Sequence, residues 1–430
     1  MNKKIKTSFL KLFFGIICCF IVINCSWATG IENNTSSVSD NKSRKTFELP
    51  SKIHKNSEGF YYIGKMLTPR YGHSAVLLSD GRVFIAGGAK DGTTDGTLKS
   101  TEIFDPKAGK SMLGPDLNFS TEQPILHLLK NNKVLIIYRN IANTRKQVAV
   151  YNPNTNLIEN IINIEPSIFV SRTDRVAIER INNDKIIIFD REGAFPLEHA
   201  IQYNERTSAI NIFPSKKYAK IFAYFLAQNN DTFYFTTHPY GMKADNLMKI
   251  TTKELEEFSN KPETFSYTSN VQKNGHKYLN FVQPEIFVAQ KENIAESRGI
   301  VLNDGFTIVL FNKNSIFLYD IKSNKLLEVV KDVSELYPQY ATENIEHLAI
   351  LKNGNVLMIT ARYPLEYRLY EFNPNAFKIK QKEYTAPGRY AAITDLGDGK
   401  IFYSGSIIPY INPYKYQYDN ASDKVYIWKK

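Results

Sequence analysis

Thr68-Pro69-Arg70-Tyr71-Gly72-His73-Ser74-Ala75-Val76-Leu77-Leu78-Ser79-Asp80-Gly81-Arg82-Val83-Phe84-Ile85-Ala86-Gly87-Gly88 is the stretch from which the fold is read. After a polar loop it continues as Ser100-Thr101-Glu102-Ile103-Phe104-Asp105-Pro106. Two short apolar runs meet at Asp80-Gly81, a pair that tolerates the positive φ of a type I′ turn, so they read as a tight β-hairpin. Gly87-Gly88 ends the second run where a side chain would crowd a neighbouring sheet. Asp105-Pro106 opens a turn after a third strand.

The hairpin recurs along the chain. Asn131-Asn132-Lys133, Asn183-Asp184-Lys185, Asn230-Asp231-Thr232, Asn303-Asp304-Gly305, Asn353-Gly354-Asn355 and Gly397-Asp398-Gly399 each precede an apolar run. Taking positions 81, 132, 184, 231, 305, 354 and 399 as the turns, the spacings are 51, 52, 47, 74, 49 and 45 residues. A second marker keeps the same phase. Phe104-Asp105-Pro106 is echoed by Tyr151-Asn152-Pro153, Tyr203-Asn204, Tyr319-Asp320 and Phe372-Asn373-Pro374, lying 24, 20, 20, 15 and 19 residues after their turns. Two markers in step define seven sheet-sized units.

The opening stretch closely resembles the kelch repeat, in the form also found in the central domain of galactose oxidase. The resemblance implies an all-β, seven-bladed kelch-type β-propeller, expected over residues 59–430. Gly59 to Met66 reads as an isolated strand that joins the last blade and closes the ring, with Lys424 to Trp428 as its third strand. The long spacing falls on residues 252–297. There Thr251 to Phe258 reads as a short helix, and Tyr278 to Val282 as part of an elaborated loop or a partial blade.

Ahead of the propeller, Lys3, Lys4, Lys6 and Lys11 precede and enter an apolar run from Leu12 to Ile23, the layout of a secretory signal. Ser26-Trp27-Ala28 places small residues for cleavage after Ala28, so residues 1–28 are expected to be removed and 29–58 to be a flexible polar spacer. Secretion or a periplasmic location ranks first. A lipid anchor on Cys25 ranks second, since Asn24 is not the small residue such a motif prefers, and an uncleaved anchor ranks third. Cys18, Cys19 and Cys25 are the three cysteines, so the processed chain has none and needs no disulfide. Four of the 54 basic residues leave with the leader, so 50 remain against 43 acidic ones, a net of +7. That excess is spread evenly and does not form a basic run, so no nucleic-acid partner is expected, nor any membrane span after cleavage.

The resemblance also directs attention to chemistry. Galactose-oxidase radical chemistry requires a cysteine cross-linked to a tyrosine beside copper, which a processed chain without cysteine cannot supply. Sialidase boxes need tryptophans, and only Trp27 and Trp428 are present. The seven histidines show no metal spacing, and no Gly-x-Ser-x-Gly elbow or phosphate loop occurs. Asp91 to Glu102 partly matches a calcium loop, with acids at its first and last positions, but reads better as a polar loop between strands. Neither metal nor cofactor is expected. His73 reads as a packing residue with a backbone hydrogen bond inside its own blade.

One constellation remains. Arg70 with Tyr71, Arg172 and Arg175, Arg298, and Arg389 with Tyr390 precede or open the first strands of blades one, three, five and seven. A ring would bring them to one mouth, where kelch-family arginines can meet acidic ligands by bidentate hydrogen bonding. The alternative is that each arginine pairs with a neighbouring blade. The expectation is a monomeric binding module for an acidic glycan or protein partner. The runner-up is a sugar-acting enzyme resembling periplasmic kelch sialic-acid mutarotases, with Glu122, Glu179, Glu285 or Glu346 as the carboxylate.

Overall fold

The computed structural model describes residues 58–430 apart from 92, 94, 141–145, 165–175, 191, 195–199, 213–220, 240–244, 255–287, 292–296, 313–314, 338–343, 363–365, 384–385, 388–389, 398 and 406–420. The leader, the cleavage site, Cys25 and most of the spacer lie outside the described residues. The chain begins its sheets with β1 (Gly59–Lys65). Blade one follows as β2 (Ser74–Leu77), β3 (Val83–Ala86), β4 (Thr101–Asp105) and β5 (Lys110–Leu113). Blade two is β6 (Ile125–Leu128), β7 (Val134–Arg139), β8 (Lys146–Asn152) and β9 (Leu157–Ile164). Then come β10 (Val176–Arg180), β11 (Lys185–Asp190), β12 (Glu192–Ala194), β13 (Ile201–Asn204) and β14 (Ile210–Ile212). Blade four contributes β15 (Ile221–Asn229), β16 (Thr232–Pro239), β17 (Asp245–Thr251) and β18 (Val288–Lys291).

Blade five is β19 (Arg298–Val301), β20 (Thr307–Phe311), β21 (Ile316–Asp320) and β22 (Lys325–Val330). A one-turn helix, α1 (Val333–Leu336), leads to blade six: β23 (Asn344–Ile350), β24 (Val356–Arg362), β25 (Glu366–Asn373) and β26 (Lys378–Gln381). The last strands are β27 (Ala392–Gly397), β28 (Lys400–Ser404) and β29 (Lys424–Lys429). These strands form seven antiparallel sheets, a seven-bladed β-propeller. The seventh has the order β1-β29-β28-β27, with Phe60 opposite Trp428, so the first strand closes the ring as expected.

Apolar residues fill the seams between blades. Phe84 of blade one stacks on Tyr151 of blade two with ring centroids 4.2 Å apart. Ile125 and Val150 of blade two share a buried cluster with Ile186 and Tyr203 of blade three. Phe189 of blade three meets Phe225, Phe233 and Phe235 of blade four. Comparable clusters join blades four and five, five and six, six and seven, and seven and one. Each fully buried Ile, Leu or Phe contributes about 1.5–3 kcal/mol, so the stack of seams holds the ring. A blade alone would leave both faces of its sheet uncovered.

The structure corrects two local expectations. The 79–81 hairpin is not a type I′ turn. The Gly81 N–H donates to Leu78 O at 3.0 Å and the Leu78 N–H to Arg82 O at 2.8 Å, while only Gly81 has a positive φ (89°). That is a three-residue loop ending in a left-handed residue. Asn132 repeats it, with φ 64° and its N–H on Leu129 O at 3.0 Å.

The long repeat adds no eighth blade among the described residues, in keeping with the seven expected. Its extra length falls between β17 and β18, the third and fourth strands of blade four, and β12 from blade three adds a fifth strand along β15. Residues 252–254 are helical and open on a reciprocal cap. The Glu254 N–H donates to Thr251 Oγ1 at 3.2 Å, and the Thr251 N–H donates to Glu254 Oε2 at 2.7 Å. The rest of the expected helix, and Tyr278 to Val282, lie outside the described residues. Among the described residues no helix is long and apolar enough to cross a membrane.

The second correction concerns His73. It is fully buried and shares a 2.8 Å hydrogen bond with Ser404 Oγ of blade seven, a side chain across the seam and not its own blade's backbone.

Candidate functional site

The first strands of the blades form the inner ring: β2 lies against β6 and β27, β15 against β19, and β19 against β23. Residues just ahead of these strands therefore surround one end of the axis. Tyr71 pairs with Ala89, which ties this end to the loop that follows the second strand. Loops between blades and loops between second and third strands thus share a face.

Arg70 does not point into that face. Its guanidinium is fully buried and pairs with Glu102 of β4, also fully buried, at 2.6 Å. The same fork donates to Gly87 O at 2.8 Å, Ser100 O at 3.1 Å and Ser100 Oγ at 3.2 Å. Glu102 also accepts the backbone N–H groups of Leu67 and Thr68 at 2.8 and 3.0 Å. Burial pulls the Arg70 pKa below its ordinary value, and the charge and hydrogen bond of Glu102 oppose that pull. Buried charges persist only when paired and hydrogen-bonded, and this pair is both. With its oxygens so engaged, Glu102 does not close a calcium loop with Asp91, whose Oδ1 caps its own turn by accepting from Thr93. Among the described residues no group of three or more acidic, histidine or cysteine side chains could hold a metal ion.

His73 sits beside this pair. Burial pushes its imidazole well below the usual range, and the charge of Arg70 adds to the effect. Gly87 is required here: a Cβ would lie 2.6 Å from Thr121 O of blade two.

What does line the face is a chain of residues two positions before their first strands. Tyr390, Gly72 and Gln123 precede β27, β2 and β6, and all three are left-handed, with φ of 55°, 57° and 51°. The Gly72 N–H donates to Tyr390 O at 2.8 Å, and the Gln123 N–H donates to Gly72 O at 2.6 Å. Blades seven, one and two are thereby laced by their backbones. The Tyr390 N–H donates to Tyr367 Oη of blade six at 3.1 Å. Tyr71 and Tyr390 stand side by side, ring centroids 6.3 Å apart, and Tyr71 Oη donates to Asp91 O at 2.7 Å.

One position earlier in the same register stand Tyr71 and Glu122. Glu122 is half-buried; burial raises its carboxyl above the ordinary range, and the positive charge of Arg139 at the end of β7 partly offsets this. Glu179 and Glu346, the other described carboxylates singled out by sequence, lie in β10 and β23, each 3% exposed. Glu285 lies outside the described residues.

Of the expected arginines, Arg298 is the first residue of β19 and half-buried. Arg172, Arg175 and Arg389 lie outside the described residues. Sequence reasoning missed Gln123 and Arg139, and valued Tyr390 only as a neighbour of Arg389. For Gln123 and Tyr390 the available signal was position, two residues before an inner strand; Arg139, at the end of β7, carried no such signal.

No protein-family model matches the chain, and no curated protein matches it. Solved structures do share its outline. The extracellular domain of a B. thetaiotaomicron protein, named a one-component system in one structure and a hybrid two-component system in another, aligns at 11% identity in both. The TM-scores are 0.49 and 0.48, over 87% of this chain and 40% of that one. A fungal alcohol oxidase of the AA5 family, solved with copper, aligns at 10% identity and a TM-score of 0.38, over 83% of this chain and 62% of its own. This chain therefore spans about two fifths of the length of the bacterial proteins. The seven-bladed arrangement rests on its own sheets.

Proposed function

We propose that this protein is an extracytoplasmic kelch-type binding module that takes an acidic glycan or protein partner on the face where its inner strands begin. The observation that carries this reading is Tyr390. A bulky residue at φ 55° carries a backbone cost, and residues held at such a cost by their surroundings cluster at binding sites. Here Tyr367 Oη and the Gly72 N–H hold it from two neighbouring blades. A rigid mouth gives affinity by reducing the ordering that binding costs. The leader supports a destination outside the cytoplasm. The cationic contacts of this proposal fall to Arg172, Arg175, Arg298 and Arg389, while Arg70 is taken up by Glu102 and Tyr71 is buried with its hydroxyl on Asp91 O.

The test is a thermal-shift comparison of the purified protein with N-acetylneuraminic acid, glucuronic acid and galacturonic acid. A midpoint rise with one of them, absent in an Arg298→Ala/Arg389→Ala variant whose unliganded midpoint is unchanged, is the expected outcome. A rise unaffected by the double substitution would overturn the arginine assignment. If no acid shifts the midpoint, only the protein-partner half of the reading stands.

The raised carboxyl of Glu122 favours one second reading, a sugar-acting enzyme, because a half-buried carboxyl whose proton affinity burial increases is better suited to exchange a proton with a sugar than an exposed one. Faster anomeric equilibration of N-acetylneuraminic acid, followed by proton NMR and lost in Glu122→Gln, would establish it.

A further inference from the structure

The geometry points to Glu122 and Arg139 as a subsite for the neutral hydroxyls of a saccharide ring. This rests on the binding reading above and specifies the ligand chemistry at one sector of the same face. Both side chains are half-buried at the mouth of blade two, one ahead of β6 and the other at the end of β7. Glu122 occupies the register position of Tyr71, and Gln123 beside it is locked to Gly72 by the 2.6 Å backbone bond. The blade-one and blade-two approaches are thus held against each other, with Tyr390 on the far side of Gly72.

β6 pairs with β7 with Ile125 opposite Ile137, so Arg139, two residues further on, flanks the approach that carries Glu122, and its charge pulls the carboxyl downward against the effect of burial. The two side chains do not close into an ion pair, and among the described residues no side-chain hydrogen bond engages either group. Half-buried opposite charges held near each other without contact are costly unless something bridges them. The bridge must accept from a guanidinium and donate to a carboxylate. A hydroxyl does both at one atom, and two vicinal hydroxyls match the spacing of the guanidinium fork. A carboxylate ligand would be repelled by Glu122 and an ammonium by Arg139, so this sector selects a neutral polyol. The glycan that fits the whole face carries a neutral sugar in this sector and its acidic group toward the arginines of other blades.

The experiment is isothermal titration of the purified protein with D-galactose, D-mannose, N-acetyl-D-glucosamine and cellotetraose, on wild type, Glu122→Gln and Arg139→Gln. At least one sugar is expected to bind, with Kd weakened about tenfold in each variant and little further in the double variant, since both groups act through the same hydroxyls. Circular dichroism melts of the unliganded variants, expected to match wild type, separate lost contact from lost fold. Failure of all four sugars to bind, or Kd values within about twofold of wild type in both folded variants, would overturn the subsite. N-acetylneuraminic acid that binds equally to both variants but not to Arg298→Ala/Arg389→Ala would overturn the subsite while sustaining the binding module. The reverse pattern would overturn the arginine assignment alone.

Discussion

Arg70 shows how a single residue changes meaning once its surroundings are known. Read along the chain it precedes an inner strand beside a tyrosine, as a ligand-binding arginine would. In space it turns back to meet Glu102, 32 residues later, in a fully buried pair. Removing the guanidinium would leave a buried carboxylate without its counter-charge. Arg70→Ala is therefore expected to lower unfolding stability by about 3–5 kcal/mol, read as a shift of the urea midpoint. A smaller loss than about 1 kcal/mol would mean that water reaches Glu102 once the arginine is gone. Ligand loss in that variant would accordingly report on the fold, which is why the binding tests use Arg298, Arg389, Glu122 and Arg139.

Among elements, the hairpins between third and fourth strands follow one rule in five blades. Asp105, Asn152, Asn204, Asp320 and Asn373 each accept a backbone N–H two residues on, at 2.8 to 3.1 Å. Four residues after each comes a left-handed residue: Gly109, Asn156, Ser208, Asn324 and Phe377. Where the preceding aromatic is tyrosine, its hydroxyl donates to the polar side chain there, as Tyr319 does to Asn324 at 2.8 Å. The Asp and Asn markers were plain in the sequence, and so were the glycine and asparagines that favour a left-handed backbone. Phe377 was not, because nothing about phenylalanine announces φ 54°. It is 44% exposed, so its side chain contributes little packing to offset the backbone cost. Phe377→Asn is expected to raise stability by about 0.5–1 kcal/mol, visible as a higher thermal midpoint. A lower midpoint would show that the ring packs more than its exposure implies.

Across the whole molecule, closure depends on a charged clasp as well as on β1. Glu371 of blade six accepts from Lys382, from Lys430 near the chain's end and from Asn355 Nδ2. Lys382 also pairs with Glu58, just ahead of β1, at 2.8 Å. Burial alone would raise the Glu371 carboxyl, but the hydrogen bonds from Lys382, Lys430 and Asn355 overcome it and hold it at about 2. A carboxyl lowered in the folded state stabilises above its unfolded pKa of about 4.3, and that stability is lost as pH falls toward 2. After allowance for solvent screening the contribution is about 1–2 kcal/mol. Between pH 5 and 2 the wild type should therefore lose about that much more stability than Glu371→Gln, measured by urea unfolding at each pH. Parallel pH profiles would remove the clasp from the account of closure.

The chain's own residues determined the number of blades, the closing strand and the turn positions. These depend on local preference repeated at a regular interval: Asx and glycine turn chemistry, and apolar runs just long enough for a sheet. Tertiary structure alone decided the rest. Whether Arg70 faces a ligand or Glu102, whether His73 bonds within its blade or to Ser404, and whether β12 belongs to blade three or blade four all depend on which distant segment lies alongside. So does the alignment of Tyr390, Gly72 and Gln123, left-handed residues far apart in sequence. Their shared geometry arises when blades seven, one and two each satisfy a backbone group on the next, a constraint that exists only once the ring has closed.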